Sequence, residues 1–279
     1  MTIRKTALAA ALLGALSLPA AASTVTVLGI TFPVGSVFET SDLFESNAAG
    51  GPITAAGDEL IGIGKVNNIY DSANNVVWSS GDNGRELTFY FHNYIAQDLI
   101  PGGAAPDVDK ILFSGGVIEI YSDPSQNFSA AGTLADGIAT ATNGDLFLKL
   151  AGSPIGGTGS FDGSAITLQS TGFRLAGPPF DTAVSLLGSG LLDVTGGAAE
   201  FYFDTNKFEC VAADGAPCPD KADKQFSSSG QLGQPLGSWA FRGTGEISDF
   251  AVPEPGSLAL LGLGLAGLGY RARREVKKA

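Results

Sequence analysis

The chain has 279 residues and a formal net charge of −12 at neutral pH, from 28 acidic and 16 basic side chains. A chain this acidic is expected to be repelled by nucleic acid and by anionic membrane surfaces, so we expect no nucleic-acid partner. Hydrophobic residues make up 44% of it, which excludes a disordered composition, and the 39 glycines are typical of turns between short strands.

Residues 1–22 have the three parts of a secretory signal peptide. Arg4 and Lys5 form a basic start, residues 7–18 form an apolar stretch, and residues 19–22 read Pro-Ala-Ala-Ala. This pattern predicts passage through the Sec export machinery and cleavage between Ala22 and Ser23.

Residues 23–252 alternate between apolar and polar side chains in short runs, a period that is typical of β-strands. We predict strands at 24–30, 60–70, 86–94, 110–113, 117–121, 146–150, 166–169, 183–194, 201–204 and 238–250. Residues 114–116 (Ser-Gly-Gly) are expected to join 110–113 to 117–121 as a tight hairpin, and residues 38–49 to contain one short helix.

The strand pattern predicts an all-β mature domain over residues 23–252, with a β-sandwich or jelly-roll-like arrangement. We expect one domain, and the alternative is a pair of smaller β units divided near residues 152–154.

Residues 253–279 form a distinct C-terminal segment. Pro253, Glu254 and Pro255 precede an uncharged, leucine-rich run at 256–270, and five basic residues follow within 271–278. As a single hydrophobic helix, 256–270 would be about 22 Å long, which is short of the roughly 30 Å hydrocarbon core of a membrane. The basic tail favours the cytoplasmic side. An ordinary single-pass anchor is one interpretation of this segment.

The order of Pro253-Glu254-Pro255, a short apolar helix and an arginine-rich tail resembles the PEP-CTERM sorting signal of exported proteins in Gram-negative bacteria. The resemblance implies that a membrane-embedded exosortase reads Pro253, Glu254 and Pro255, and that the helix and tail are then removed. It also implies transient membrane anchoring through that helix alone, followed by a cell-surface, outer-envelope or extracellular-matrix location. A structural or adhesion role in biofilm would fit that location.

Cys210 and Cys218 are the only cysteines, with seven residues between them around Asp214-Gly215. Since an exported chain meets an oxidising compartment, we predict a disulfide between them. A nucleophilic thiol or a metal-binding pair is the alternative, although the sequence places no histidine nearby.

The sequence offers little catalytic chemistry, and we predict a non-enzymatic protein without catalytic residues, metal ligands or cofactor. His92 is the only histidine and is expected on the polar face of a strand, and no G-x-S-x-G motif occurs. Calcium would be the best-suited metal because oxygen ligands abound, but no ligand can be assigned.

Two carbohydrate-directed alternatives stay open. Glu86 and Glu119, both on predicted strands, would be the carboxylate pair of a secreted polysaccharide hydrolase. Tyr90 and Tyr94, in the outward register of their strand, would form the stacking surface of a carbohydrate-binding module. In each case the partner would be exopolysaccharide or another matrix component.

Overall fold

The computed structural model describes residues 24–33, 35–102, 108–174 and 183–249. The predicted signal peptide, the Ala22–Ser23 cleavage site and the segment 253–279 with its predicted helix lie outside these residues. Among the residues that are described, no helix is long and apolar enough to cross a membrane.

Strands make up 58% of the structure and helices 7%, which confirms the all-β prediction. The strands are β1 (Thr24–Val27), β2 (Ile30–Pro33), β3 (Val37–Asn47), β4 (Glu59–Val66), β5 (Asn68–Tyr70), β6 (Val76–Ser79), β7 (Glu86–Ile100), β8 (Val108–Asp123), β9 (Asp145–Ser153), β10 (Ile166–Arg174), β11 (Ala183–Gly196), β12 (Lys224–Leu236) and β13 (Trp239–Ser248). A 3-10 turn covers Asp82–Gly84, and the helices are α1 (Leu134–Ala141) and α2 (Glu200–Phe203).

Eight of these strands form a barrel-like sheet. The order is β13-β12-β11-β10-β8-β7-β4-β3, and β3 pairs back onto β13, so that the sheet closes on itself. Every pairing between these strands is antiparallel. The predicted sandwich or jelly-roll arrangement is therefore not confirmed.

The strands β9 and β10 share one position in the barrel, between β8 and β11. β10 pairs with residues 108–114 of β8, whereas β9 pairs with residues 117–122 of the same strand. On the other side, β11 pairs with β10 through 183–190 and with β9 through 191–196. The alternative domain boundary near 152–154 falls at the end of β9, which is paired on both sides, and the number of domains stays a prediction.

The predicted hairpin at 110–121 is wrong, because β8 runs straight through it as one strand. Gly115 and Gly116 both adopt left-handed backbone angles, with φ of 70° and 95°. They form an irregularity opposite Tyr94 in β7 instead of reversing the chain. This irregularity lies where β8 changes its partner from β10 to β9.

The predicted helix within 38–49 is also wrong, since these residues lie mostly in β3. β3 carries one extra residue opposite β13, because Thr40 pairs with Gly245 while Leu43 pairs with Gly243. Such a bulge interrupts the period of two, which is why the apolar residues of this strand do not alternate regularly. The predicted strand at 201–204 is replaced by α2, in which Phe203 is buried and Phe201 is exposed.

The interior of the barrel depends on close approach between aromatic rings and glycines. A Cβ atom at Gly62 would lie 2.2 Å from the ring of Phe91, and one at Gly64 would lie 2.2 Å from the ring of Phe89. The two rings therefore occupy the space in which side chains of β4 would otherwise lie.

The helix α1 covers part of the outer surface of the barrel. Thr133 and Asp136 form a capping box at its start, which satisfies backbone N–H groups of the first turn. Its apolar side packs over Ile63 and Trp239, and Thr88 of β7 donates a hydrogen bond of 2.8 Å to the carbonyl of Ala141. A small second core is thus formed outside the ring of strands.

We expect Gly62→Ala to destabilise the protein by about 1–3 kcal/mol, because the new methyl group would overlap the ring of Phe91. Gly196→Ala is the matched control within a strand, since its Cβ would meet only Lys149 at 3.9 Å. Urea unfolding of both variants measures the difference. Equal stability of the two variants would contradict this account of the packing.

Candidate functional site

The outer surface of the barrel carries a cluster of polar and aromatic side chains on β7, β8 and β9. Lys149 donates a hydrogen bond of 2.8 Å to Oε1 of Glu119, and Tyr121 donates one of 2.9 Å to Oε2. His92 Nε2 lies 3.9 Å from Glu119 Oε2, and the ring of His92 stacks on Tyr90 with centroids 4.8 Å apart. Partial burial opposes ionisation, but the bonds from Lys149 and Tyr121 hold the pKa of Glu119 below its usual value.

The structure does not bring Glu86 and Glu119 together. Glu86 is paired with Asp123 across the ladder, and Glu119 is paired with Tyr90. The two carboxylates are therefore four positions apart along the strands, which is about 13 Å. The two catalytic carboxyl groups of glycosidases lie roughly 5–9.5 Å apart. Glu86 is buried and accepts a hydrogen bond of 2.8 Å from the N–H of Phe128, which is a structural contact.

The predicted outward position of Tyr94 is wrong. Asn93 has a left-handed φ of 60°, and its N–H donates to Glu59 Oε1 at 2.8 Å. This irregularity turns the next side chain inward, so that Tyr94 is only 2% exposed and its ring contacts Phe91. Tyr90 is half-buried on the outer surface, and no stacking surface shared with Tyr94 exists.

The predicted disulfide between Cys210 and Cys218 is present, with Cα atoms 5.5 Å apart. The backbone N–H of Cys218 also donates a hydrogen bond to the carbonyl of Cys210. Cys210 is buried against Phe208 and Ala222 in a small apolar cluster. Both thiols are thereby consumed in a structural cross-link. Within the described ranges, no three His, Cys, Asp or Glu side chains are placed to hold a metal ion.

A buried ion pair fixes the end of the described chain, just before the C-terminal segment. The ammonium group of Lys224 lies 2.6 Å from Asp249 Oδ1 and 2.6 Å from the carbonyl oxygen of Phe203. Both charged side chains are almost fully buried, and Lys207 Nζ lies 3.5 Å from the other oxygen of Asp249. Four Cα–Cα steps separate Asp249 from Pro253, so the two residues lie within about 15 Å of each other.

The barrel also encloses a cavity with an apolar wall and two buried carboxyl groups, which sequence reasoning missed. Glu45 of β3 is 8% exposed and Asp109 of β8 is 1% exposed. The N–H of Gly102 donates a hydrogen bond of 2.9 Å to Asp109. Glu45 lies two residues from Leu43, and Asp109 lies two residues from Ile111. This alternation with apolar residues was the signal in the sequence that both carboxyl groups face the interior. It was hidden for Glu45 because the surrounding segment was predicted to be helical.

Burial makes ionisation of Glu45 unfavourable and raises the pKa of its carboxyl group to about 7. The cavity is narrow, with a volume of about 40 Å³. By the measure that assigns roughly 10–15 Å³ to one water molecule, it holds about three waters or the end of a slim organic molecule. The arrangement can therefore present one carboxylate to a small guest in an otherwise apolar space.

We expect Glu45→Gln to stabilise the protein at high pH. Because the folded-state pKa is raised, the wild-type protein is most stable below pH 4.5 and loses stability as pH rises through about 7. The shift from 4.5 to about 7 corresponds to roughly 3 kcal/mol above pH 7. Unfolding experiments from pH 4 to pH 9 measure the gap between the two proteins. A gap that stays constant with pH would contradict the prediction.

We expect Lys224→Met to destabilise the protein by about 3–5 kcal/mol, because it leaves the carboxylate of Asp249 buried without its main partner. Lys221→Met is the matched control, since Lys221 pairs with Glu209 at the surface and its loss should change stability by less than about 1 kcal/mol. Chemical unfolding measures the free energy of unfolding of both variants, and so compares the contribution of the buried ion pair with that of the surface ion pair. Similar losses in both would show that burial of the pair does not matter.

Comparison with known families concerns the segment that follows Asp249. Residues 251–274 match the model of the PEP-CTERM protein-sorting motif. Comparison with curated proteins and with solved structures gave no match. The motif supports export, processing by an exosortase, and transient membrane anchoring before a cell-surface or extracellular location. The individual roles of Pro253, Glu254 and Pro255 stay predictions. The chain thus carries a PEP-CTERM sorting motif at residues 251–274, the signal of an exosortase-sorted exported protein.

Proposed function

We propose that this chain is a non-enzymatic structural or adhesion protein of the cell surface or extracellular matrix. The observation that carries the proposal is the sorting motif at 251–274, which directly follows the strand that closes the barrel. In this proposal the exosortase processes the chain at Pro253-Glu254-Pro255, and the barrel is retained at the envelope or released into extracellular polysaccharide.

The charge of the exported body supports a matrix role. Residues 1–22 carry a net charge of +2 and residues 253–279 one of +3, so the body between them carries −17. Such a surface is strongly hydrated and is repelled by nucleic acid and anionic lipid. Exopolysaccharide or other matrix components are the proposed partners. Calcium would be suited to bridge surface carboxylates to an acidic polysaccharide.

The geometry of the carboxylates supports the non-enzymatic part of the proposal. Glu86 and Glu119 are separated by about 13 Å along the ladder, beyond the range that glycosidases use. Glu119 is also engaged by Lys149 and Tyr121, which favour its ionised form. A general acid needs the opposite, a carboxyl group whose proton is retained near neutral pH.

A carbohydrate-binding role on the outer surface is the second candidate. The observation that favours it is the stacked pair of Tyr90 and His92 beside the Glu119 carboxylate. An aromatic face next to hydrogen-bonding groups is suited to a sugar ring. Tyr94 takes no part in this candidate, because it is buried inside the barrel.

The test is an intact-mass and fractionation experiment on the protein from its native host. We expect a chain from Ser23 to the neighbourhood of Pro253, two mass units light because of the Cys210–Cys218 disulfide, in the envelope or polysaccharide fraction. A variant with alanine at Pro253, Glu254 and Pro255 should keep residues 256–279 and stay in the inner membrane.

Two results would contradict the proposal. A wild-type chain that retains residues 256–279 in a processing-competent host would make the segment a permanent anchor. Turnover of the host exopolysaccharide by the wild-type protein would place it among the enzymes. Polysaccharide binding that is lost in Tyr90→Ala, without any turnover, would favour the carbohydrate-binding candidate.

A further inference from the structure

The cavity inside the barrel contains a carboxyl group that lacks a partner among the described residues. Glu45 is more than nine-tenths buried and lines the cavity. No side chain or backbone N–H of the described chain donates a hydrogen bond to it, and burial is the one influence acting on its ionisation. A buried acceptor without a donor is unfavourable, so the geometry leaves a place for a donor from outside the chain.

The charges around Glu45 favour a cation over an anion or a neutral molecule. The other acidic residue of the described wall, Asp109, accepts a hydrogen bond from the N–H of Gly102, and none of the described wall residues is Lys, Arg or His. An ionised Glu45 carboxylate in a space of low polarity attracts a positive group strongly and repels a negative one. A metal ion fits less well, since no third acidic, His or Cys side chain of the described chain completes a site.

The remaining wall determines the shape of the guest. One part of the wall is aromatic and includes Phe91, Tyr94 and Phe113. The neighbouring strands β10 and β11 contribute small residues, among them Ser170 and Gly188, which leave the space open. A volume of about 40 Å³ admits only a few non-hydrogen atoms, so the part of the guest that enters must be slim and unbranched.

We propose that this cavity binds the ammonium group and first carbons of a slim primary alkylamine, with Glu45 as the partner of the ammonium group. The first carbons of the alkyl chain lie against the aromatic rings of the cavity wall. This inference is separate from the matrix role proposed above, and either can fail without the other.

The proposal implies a defined pH dependence. Glu45 must be ionised, and the other titratable groups on the described wall are Asp109 from β8 and Tyr94 from β7. A primary alkylamine stays protonated up to a pH of about 10, like the lysine side chain. Binding should therefore be strong near pH 8 and weaker near pH 5.5, where the carboxyl group of Glu45 holds a proton.

Isothermal titration calorimetry on the full chain, in one nonionic detergent throughout, tests this inference with three probes of similar size. We expect n-butylammonium to bind at pH 8, 1-butanol to bind at least tenfold more weakly, and butyrate not to bind. At pH 5.5 the affinity for n-butylammonium should fall at least tenfold. Equal binding of the three probes, or no binding of n-butylammonium at pH 8, would overturn the proposal.

Two variants and a matched control locate the site. Glu45→Gln should lower the affinity for n-butylammonium at least tenfold, whereas Glu246→Gln, which removes the same charge from an exposed position of β13, should leave it unchanged. Ser170→Leu fills the cavity without altering a charge and should also abolish binding. It tests the location of the site independently of any change in the charge at Glu45. Unchanged affinity in both Glu45→Gln and Ser170→Leu would place the amine elsewhere and refute the proposal.

Discussion

The pairing of β3 with β13 is the constraint on which the rest of the structure depends. It joins residues 38–45 to residues 241–247, almost the full length of the described chain apart, and closes eight antiparallel strands into a ring. Closure satisfies the backbone groups that edge strands would otherwise expose. An eight-stranded ring also fixes the interior at a width that side chains, or one small guest, must fill. The same ladder sets Glu45 opposite Phe241 and so determines which carboxyl group reaches the cavity.

The interior is filled unevenly. The positions of the small residues determine which parts are closely packed and which part contains the cavity. On β4, Gly62 and Gly64 let the rings of Phe91 and Phe89 approach the backbone, so that this side of the barrel is closely packed. On the far side, small residues of β10 and β11 are not covered by rings in the same way, and the cavity lies there. The irregularity at Asn93 adds Tyr94 to the wall of this space. Packing and cavity therefore have one origin, the distribution of small and large side chains around the ring.

Local signals in the sequence predict the strands well but not their arrangement. The regular alternation in β7, from Glu86 to His92, identifies that strand, and the spacing of Cys210 and Cys218 identifies the disulfide. The errors lie at irregularities of the strands. The extra residue in β3 interrupts the alternation and led to the helix prediction, and Gly115-Gly116 led to the hairpin prediction. Barrel closure could not be predicted, because no local feature of 38–45 specifies a partner two hundred residues away. Glu45 was missed as a site residue because the irregular apolar spacing of β3 was interpreted as a helix, which hid its inward register.

The position of the sorting motif links the fold to the order of events during export. β13 is the last described strand and closes the ring, so the barrel cannot be complete until residues up to Ser248 have been exported. The next residue, Asp249, is held in the interior by Lys224, and Pro253 follows within about 15 Å. If the apolar segment after Pro255 holds the chain in the membrane, this short connection would keep a closed barrel close to the membrane surface. An exosortase that acts at Pro253-Glu254-Pro255 would then release a domain in which the residue after the final strand is already held by a buried ion pair.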